Sequence, residues 1–204
     1  QRLNSYGSQL NSQEMRSALL VASSPEFFAQ IERMASSDAF KGAVLLSEKQ
    51  TEERYDLELV TRFIILHNWP EKKITLSSLR DLSQVLDDES VRLASIYPAG
   101  FQEIADVFSQ TFDAIYQNGG EDIFRRWDTS RGEFRGGFLT SAFEIIAYGV
   151  GYQISAKHDF RKDMIQMVKE LWGSPQMQAG YSTGRSTESR LVEFIPLGRR
   201  ITRA

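Results

Sequence analysis

Apolar positions along the chain recur at helical spacing and almost nowhere alternate as strand positions do. Asn11 and Glu14 have the three-residue spacing of a capping box, in which each side chain bonds the other's backbone N–H. Met15, Leu19 and Ala22 follow as the apolar stripe of a first helix. Ser24-Pro25-Glu26 starts a second, with Ser24 as N-cap and Pro25 in the first turn, where its missing N–H costs nothing. Phe27, Phe28, Ile31 and Met34 form its stripe, and residues 36–38 end it. Residues 41–50 read as an irregular connection. From Asp56 to Leu66 the chain is apolar on nearly every side, as suits a helix in the middle of a core, and Trp69-Pro70 stops it.

Two further helices are predicted over residues 76–86 and 90–116, the second broken or kinked at Pro98 and closed by Gly119-Gly120. Residues 123–137 are the least helical stretch and read as a loop or a short hairpin around Ser130-Arg131-Gly132. Residues 138–153 predict a buried helix in which Gly149 and Gly151 allow close backbone approach. Residues 160–172 form an amphipathic helix with Phe160, Met164, Met167, Val168 and Leu171 on one face. Residues 173–184 make a Ser/Gly/Gln linker, and Ser186 caps a last helix through Phe194 that Pro196 and Gly198 disturb. The expected fold is all-α: an irregular multi-helix domain of about seven to eight helices behind a short non-helical N-terminal segment.

Composition fits a soluble globular domain, with 41% hydrophobic and 25% charged residues in 204. The absence of Cys rules out disulfides and thiolate zinc sites and suits a reducing cytosol, so a cytoplasmic location is expected. No apolar run approaches a membrane span, so no membrane partner is expected. Net charge is −3, which argues against a generally nucleic-acid-binding surface. Its distribution is uneven. Residues 1–120 hold 11 Lys+Arg against 17 Asp+Glu, whereas residues 121–204 hold 13 against 10. Arg125, Arg126, Arg131, Arg135, Arg185, Arg190, Arg199 and Arg200, followed by Arg203, are therefore candidate DNA or phosphate contacts, against the plainer reading of solvated surface with local ion pairs.

Chemistry-bearing motifs are scarce. The two His residues, His67 and His158, lack a His four positions away, so no metal site is expected, and His67 reads as a capping or packing residue. Gly132-x-x-x-Gly136-Gly137 lacks the Lys-Ser/Thr of a phosphate loop, and no Gly-x-Ser-x-Gly elbow occurs. Arg54, Asp56, Glu58 and Arg62 form a candidate polar cluster on the central helix, with Glu58 and Arg62 spaced for an ion pair. The first line, Arg2-Leu3-Asn4 through Gly7 and Leu10 to Gln13-Glu14 and Arg16, is a second constellation. Gly7 can reverse the chain and return Arg2 and Asn4 towards Glu14. Arg16, two residues past Glu14, points to another side of the helix and is expected to be free for an external partner.

This pattern, RLN-x-x-G-x-x-L-x-x-QE-x-R, resembles the junction in GmrSD-type restriction proteins, of the ParB/sulfiredoxin-like domain-of-unknown-function family two-six-two. Arg54-x-Asp56-x-Glu58-Leu59-Val60-x-Arg62-Phe63 is similar to a helix of that family's helical domain. The resemblance covers the first third of the chain. It implies that residues 1–10 are the end of an upstream nucleotide-binding domain or a linker, and that residues 11–204 are the helical domain. Arg2, Asn4, Glu14 and Arg16 would then form a junction facing the upstream domain or its ligand. The family's Asp-Gly-Gln-Gln-Arg nucleotide motif and its His-Asn-His nuclease motif are absent, so this chain alone is expected to be no enzyme and to hold no cofactor. A nucleoside triphosphate and Mg would belong to the upstream domain. DNA or a nuclease would be the partner. The other reading is a stand-alone all-α interaction or scaffold domain without a nucleic-acid role.

Overall fold

The structure, a computed structural model, describes residues 11–178 and 185–204. Its helices are α1 (Ser12–Ser23), α2 (Pro25–Ala35), α3 (Asp38–Ala43), α4 (Glu48–Glu52), α5 (Tyr55–Leu66), α6 (Leu82–Ile96) and α7 (Gln102–Gly119), then α8 (Thr140–Ser155), α9 (Met164–Gly173), α10 (Pro175–Gln178) and α11 (Thr187–Ile201). A two-stranded hairpin, β1 (Arg126–Asp128) and β2 (Glu133–Arg135), interrupts them. The fold is mostly all-α, and the eight helices of seven or more residues meet the number expected. The predicted N-terminal segment lies outside the described residues.

Two helices form the centre. α5 buries residues around most of its circumference, including Leu57, Leu59, Val60, Phe63 and Ile64. α8 does the same with Phe143, Ile145, Ile146, Tyr148 and Val150. α7 bridges them with one aromatic edge: Phe108 and Phe112 pack on Phe63 at 5.5 and 5.3 Å between ring centres and on Phe40 at 5.6 and 4.9 Å. Such offset and edge-on pairs add to the area these rings bury.

Glycine sets the α8–α11 contact. A Cβ on Gly198 would lie 2.1 Å from the Ile145 carbonyl oxygen, and one on Gly149 would lie 2.5 Å from the Gly198 oxygen. The helices thus touch backbone to backbone. Gly198→Ala is expected to cost about 1–3 kcal/mol by overpacking, although alanine ordinarily stabilises a helix interior by ~1 kcal/mol relative to glycine. Urea unfolding distinguishes the two, and an unchanged or raised midpoint would contradict the contact.

Several boundaries differ from expectation. Residues 41–50 are not irregular throughout, because α3 reaches Ala43 and α4 starts at Glu48 behind a Ser47–Gln50 capping box. α6 runs unbroken across Asp87-Asp88-Glu89, since Leu82, Leu86, Ser90 and Leu93 keep one buried face through it. The chain breaks at Tyr97-Pro98 as Pro98 requires. Ser24 gives α2 no side-chain cap. α9 begins only at Met164, because Phe160 pairs with Arg203 in an isolated bridge. α11 passes through Pro196 to Ile201, since burying Leu191, Phe194, Ile195 and Leu197 outweighs one lost hydrogen bond.

α1 is turned relative to its predicted stripe. Met15 and Leu19 are 54% and 48% exposed, while Arg16 and Leu20 are both 2% exposed. Its capping box is as expected, with the Glu14 N–H donating to Asn11 Oδ1 at 2.9 Å and the Asn11 N–H to Glu14 Oε2 at 2.7 Å. The hairpin also matches: Trp127 stands opposite Phe134, and Gly132 takes the positive φ of +69° that its turn needs.

Candidate functional site

The buried face of α1 carries a charge because two carboxylates wait for it. Arg16 Nη1 donates to Glu58 Oε2 and Arg16 Nε to Asp87 Oδ1, both at 2.7 Å. Gln13, one turn back, accepts from the same Nη1 at 2.9 Å. Glu58, on α5, takes its second partner from the same helix: Arg62 Nε donates to Glu58 Oε1 at 2.6 Å, the expected pair four residues apart. Arg62 Nη1 then lies 3.7 Å from Glu144 Oε1 on α8. Arg190, on α11, closes the series as a two-pronged fork on Glu144, at 2.6 and 2.9 Å.

Three arginines and three carboxylates thus tie α1, α5, α6, α8 and α11 together. The side chains of Glu144 and Arg16 are 0% and 2% exposed, and only Asp87, at 37%, reaches water substantially. Planar guanidinium forks suit such pairs, since each carboxylate oxygen receives an aligned N–H. Burial works against the charge on Arg62, but Glu58 raises its pKa above the usual value. The bonds to Glu144 raise that of Arg190. Burial, then Glu144, pushes the Tyr148 hydroxyl up. That hydroxyl has no hydrogen-bond partner among the described residues. A cavity of about 210 Å³, lined by Ser12, Arg16, Glu58, Arg62, Thr187 and Glu188, adjoins the cluster.

Arg16 is therefore not free for an external partner, contrary to expectation. Arg2 and Asn4 lie outside the described residues, and Glu14 is spent on its capping box. The candidate cluster on α5 divides in two. Glu58 and Arg62 turn inward, whereas Arg54 meets Asp56 at 3.2 Å and Glu32 of α2 at 3.5 Å near the surface. Arg54 opens α5 in a left-handed conformation, φ +51°, which aims it away from the buried pair.

The arginines of the second half do not form one edge. Arg125 bonds Asp122 and the Gly136 carbonyl oxygen. Arg131 and Arg135 flank Asp128 at 4.0 and 3.4 Å, while Ser130, donating to the same carboxyl, holds its pKa down to about 2. Arg185 pairs with Glu193, and Arg190 is internal. Arg126 is exposed with no carboxylate partner among the described residues. Arg199 donates to the Trp69 carbonyl oxygen at 2.6 Å, and Arg200 is exposed beside it.

His67 packs, as expected. Its ring stacks on Phe63 at 4.8 Å, and Nδ1 lies 2.7 Å from the Phe63 carbonyl oxygen, which can only accept. Nδ1 therefore carries the proton and Nε2 accepts from Ser155 Oγ at 3.0 Å. Burial pushes its pKa down to about 4, which keeps the ring neutral near pH 7.

Asp87 and Glu144 were the members of the cluster that the sequence did not suggest. Glu144 gave one signal, a lone carboxylate inside the most apolar helix of the chain. Among the described residues no group of three His, Asp or Glu could hold a metal ion, and no helix is long and apolar enough to cross a membrane. No family model, no curated protein and no solved structure matches the chain.

Proposed function

We propose that residues 11–204 are the helical module of a GmrSD-like, modification-dependent restriction or antiphage defence protein, acting in the cytoplasm. In this reading the module supports an upstream nucleotide-hydrolysing domain and meets DNA or a nuclease partner through its exposed arginines. One observation carries it. The two segments that bear the resemblance, separated by some forty positions, meet in one buried pair: Arg16 of the first donates to Glu58 of the second at 2.7 Å. A pattern kept for a single fold would place its charged residues in contact in this way. The start of α1 adjoins the cluster, since Ser12 lines the cavity with Arg16 and Glu58. An upstream domain joined there would rest on a rigid floor.

The exposed Met15 and Leu19, neighbours on one side of α1, favour the second reading, a stand-alone interaction or scaffold domain. The coding region upstream of residue 1 separates the two. The first reading expects an Asp-Gly-Gln-Gln-Arg segment there, and expects the whole protein to hydrolyse a nucleoside triphosphate with Mg²⁺ and to restrict phage. Residues 1–204 alone are expected to do neither and to leave plasmid DNA uncut. Absence of the upstream motif, or turnover by the purified 204-residue chain, would overturn it.

A further inference from the structure

We propose that the cavity beside the end of α11 binds a phosphate group, held by Arg199, Arg200 and Arg203. The inference deepens, and rests on, the reading above that exposed arginines of this chain meet DNA. The cavity measures about 330 Å³, and Tyr152, His158 and Glu71 complete the part of its wall that matters here.

The first support is the absence of counter-charge. Apart from Arg33, Arg80, Arg126 and the three of this wall, every arginine of the described residues has a carboxylate oxygen within 4.0 Å. Arg199, Arg200 and Arg203 have none. Arg33, Arg80 and Arg126 come from separate elements, whereas these three share one wall. Glu71 is the single carboxylate of that wall; it makes no ion pair within 4.0 Å with any of the three, and its charge acts on Arg199 only from a distance. On the far side of Arg200 and Arg203 a second cavity contains Arg161, but that guanidinium is taken by Asp163 and Glu170.

The second support is that helix capping does not account for the trio. Cations in a last turn commonly satisfy the helix's own terminal carbonyls. Here other groups have taken two of them: Gln153 Nε2 donates to the Arg199 carbonyl oxygen at 2.6 Å, and Thr202 Oγ1 to the Gly198 oxygen at 2.8 Å. Arg199 reaches instead across to Trp69, and its guanidinium carbon sits 4.0 Å over the centre of the Tyr152 ring.

The third support is preorganisation. Those two contacts fix the Arg199 guanidinium before any ligand arrives, so little side-chain entropy remains to be lost. Its Nε is buried without a hydrogen-bond partner among the described residues. Burial lowers the pKa of Arg199, the mark of a cation short of compensation, and an oxyanion beside it would supply that compensation. Guanidinium groups match the tetrahedral oxygens of phosphate with paired, charge-assisted bonds, and three of them on one wall favour a dianion or a phosphodiester over a single carboxylate.

The phosphate has two sources, the free ion and a nucleic-acid backbone, and two titrations of the full chain distinguish them. Inorganic phosphate is followed through the arginine Nε–H resonances, and a short labelled DNA duplex through fluorescence anisotropy. Phosphate is expected to shift the Arg199 Nε–H signal in the parent. In the double variant Arg200→Gln/Arg203→Gln, whose side chains are exposed and whose folding circular dichroism verifies, its affinity is expected to fall by at least about tenfold. Arg126→Gln is the control and should bind phosphate as the parent does. If phosphate fails to shift Arg199 by about 10 mM, or the double variant binds it unchanged, the site is overturned. Duplex bound equally by parent and double variant, with phosphate binding lost in the variant, supports the site with the free ion as its ligand and leaves DNA contact to other arginines. Phosphate bound with no duplex bound supports the site with the free ion as its ligand and removes the DNA reading.

Discussion

Glu144→Ala is expected to destabilise the protein by about 3–5 kcal/mol, the usual cost of removing one partner from a buried ion pair. Its side chain is fully buried, and it receives both prongs of Arg190 together with the approach of Arg62. Truncation would strand Arg190 and withdraw the α8 end of the cluster. Most of the loss would come from the uncompensated cations rather than from missing bonds, because forming such a pair already costs desolvation. Changing Arg190 to Met in the Glu144→Ala background should therefore restore part of the stability. Equilibrium urea unfolding measures both. A single variant within about 1 kcal/mol of the parent would show that Glu144 is not the keystone of α8 and α11.

Phe63→Ala is expected to cost a similar amount, about 3–5 kcal/mol, but for a different reason. Phe63 is completely buried and touches the rings of His67, Phe108, Phe112 and Tyr148. A Cβ on Gly151 would meet the tip of its ring at 2.7 Å, so the backbone of α8 closes its fourth side. Rings and backbone cannot collapse into the space left, and a cavity would remain. A midpoint shift worth less than about 1 kcal/mol would place Phe63 at the surface instead.

These two residues mark the limits of what the sequence disclosed. Phe63 was legible because an element apolar all round has only one place to go, and the same holds for α8. Local signals also read true: the Asn11–Glu14 box, the hairpin at Ser130-Arg131-Gly132, and the pair of Glu58 with Arg62. What failed was long-range. The stripe of Met15, Leu19 and Ala22 predicted the inner face of α1, but Glu58 and Asp87, 42 and 71 positions from Arg16, turn that helix by bonding a residue of the polar side. Nothing within one turn of Arg16 announces either partner. Likewise the arginines of the second half were open to two readings, phosphate contacts or surface with local ion pairs, because sequence order does not reveal which already have an acid beside them. Asp128 and Glu144 quench three of them from different sides.

The equal numbers of cations and anions in the buried cluster bear on how the molecule responds to ionic strength. At 0.1 M salt the screening length is about 10 Å, which weakens charges in contact with solvent and hardly reaches pairs enclosed by protein. Added salt should therefore loosen Arg92–Glu89 and the arginines around Asp128, while Arg16, Arg62 and Arg190 keep the five helices in register. The uncompensated arginines at the end of α11 belong to the first group. Concentrated salt would abolish what they attract without unfolding the scaffold that displays them, so one chain carries both a charge cluster indifferent to its medium and one governed by it.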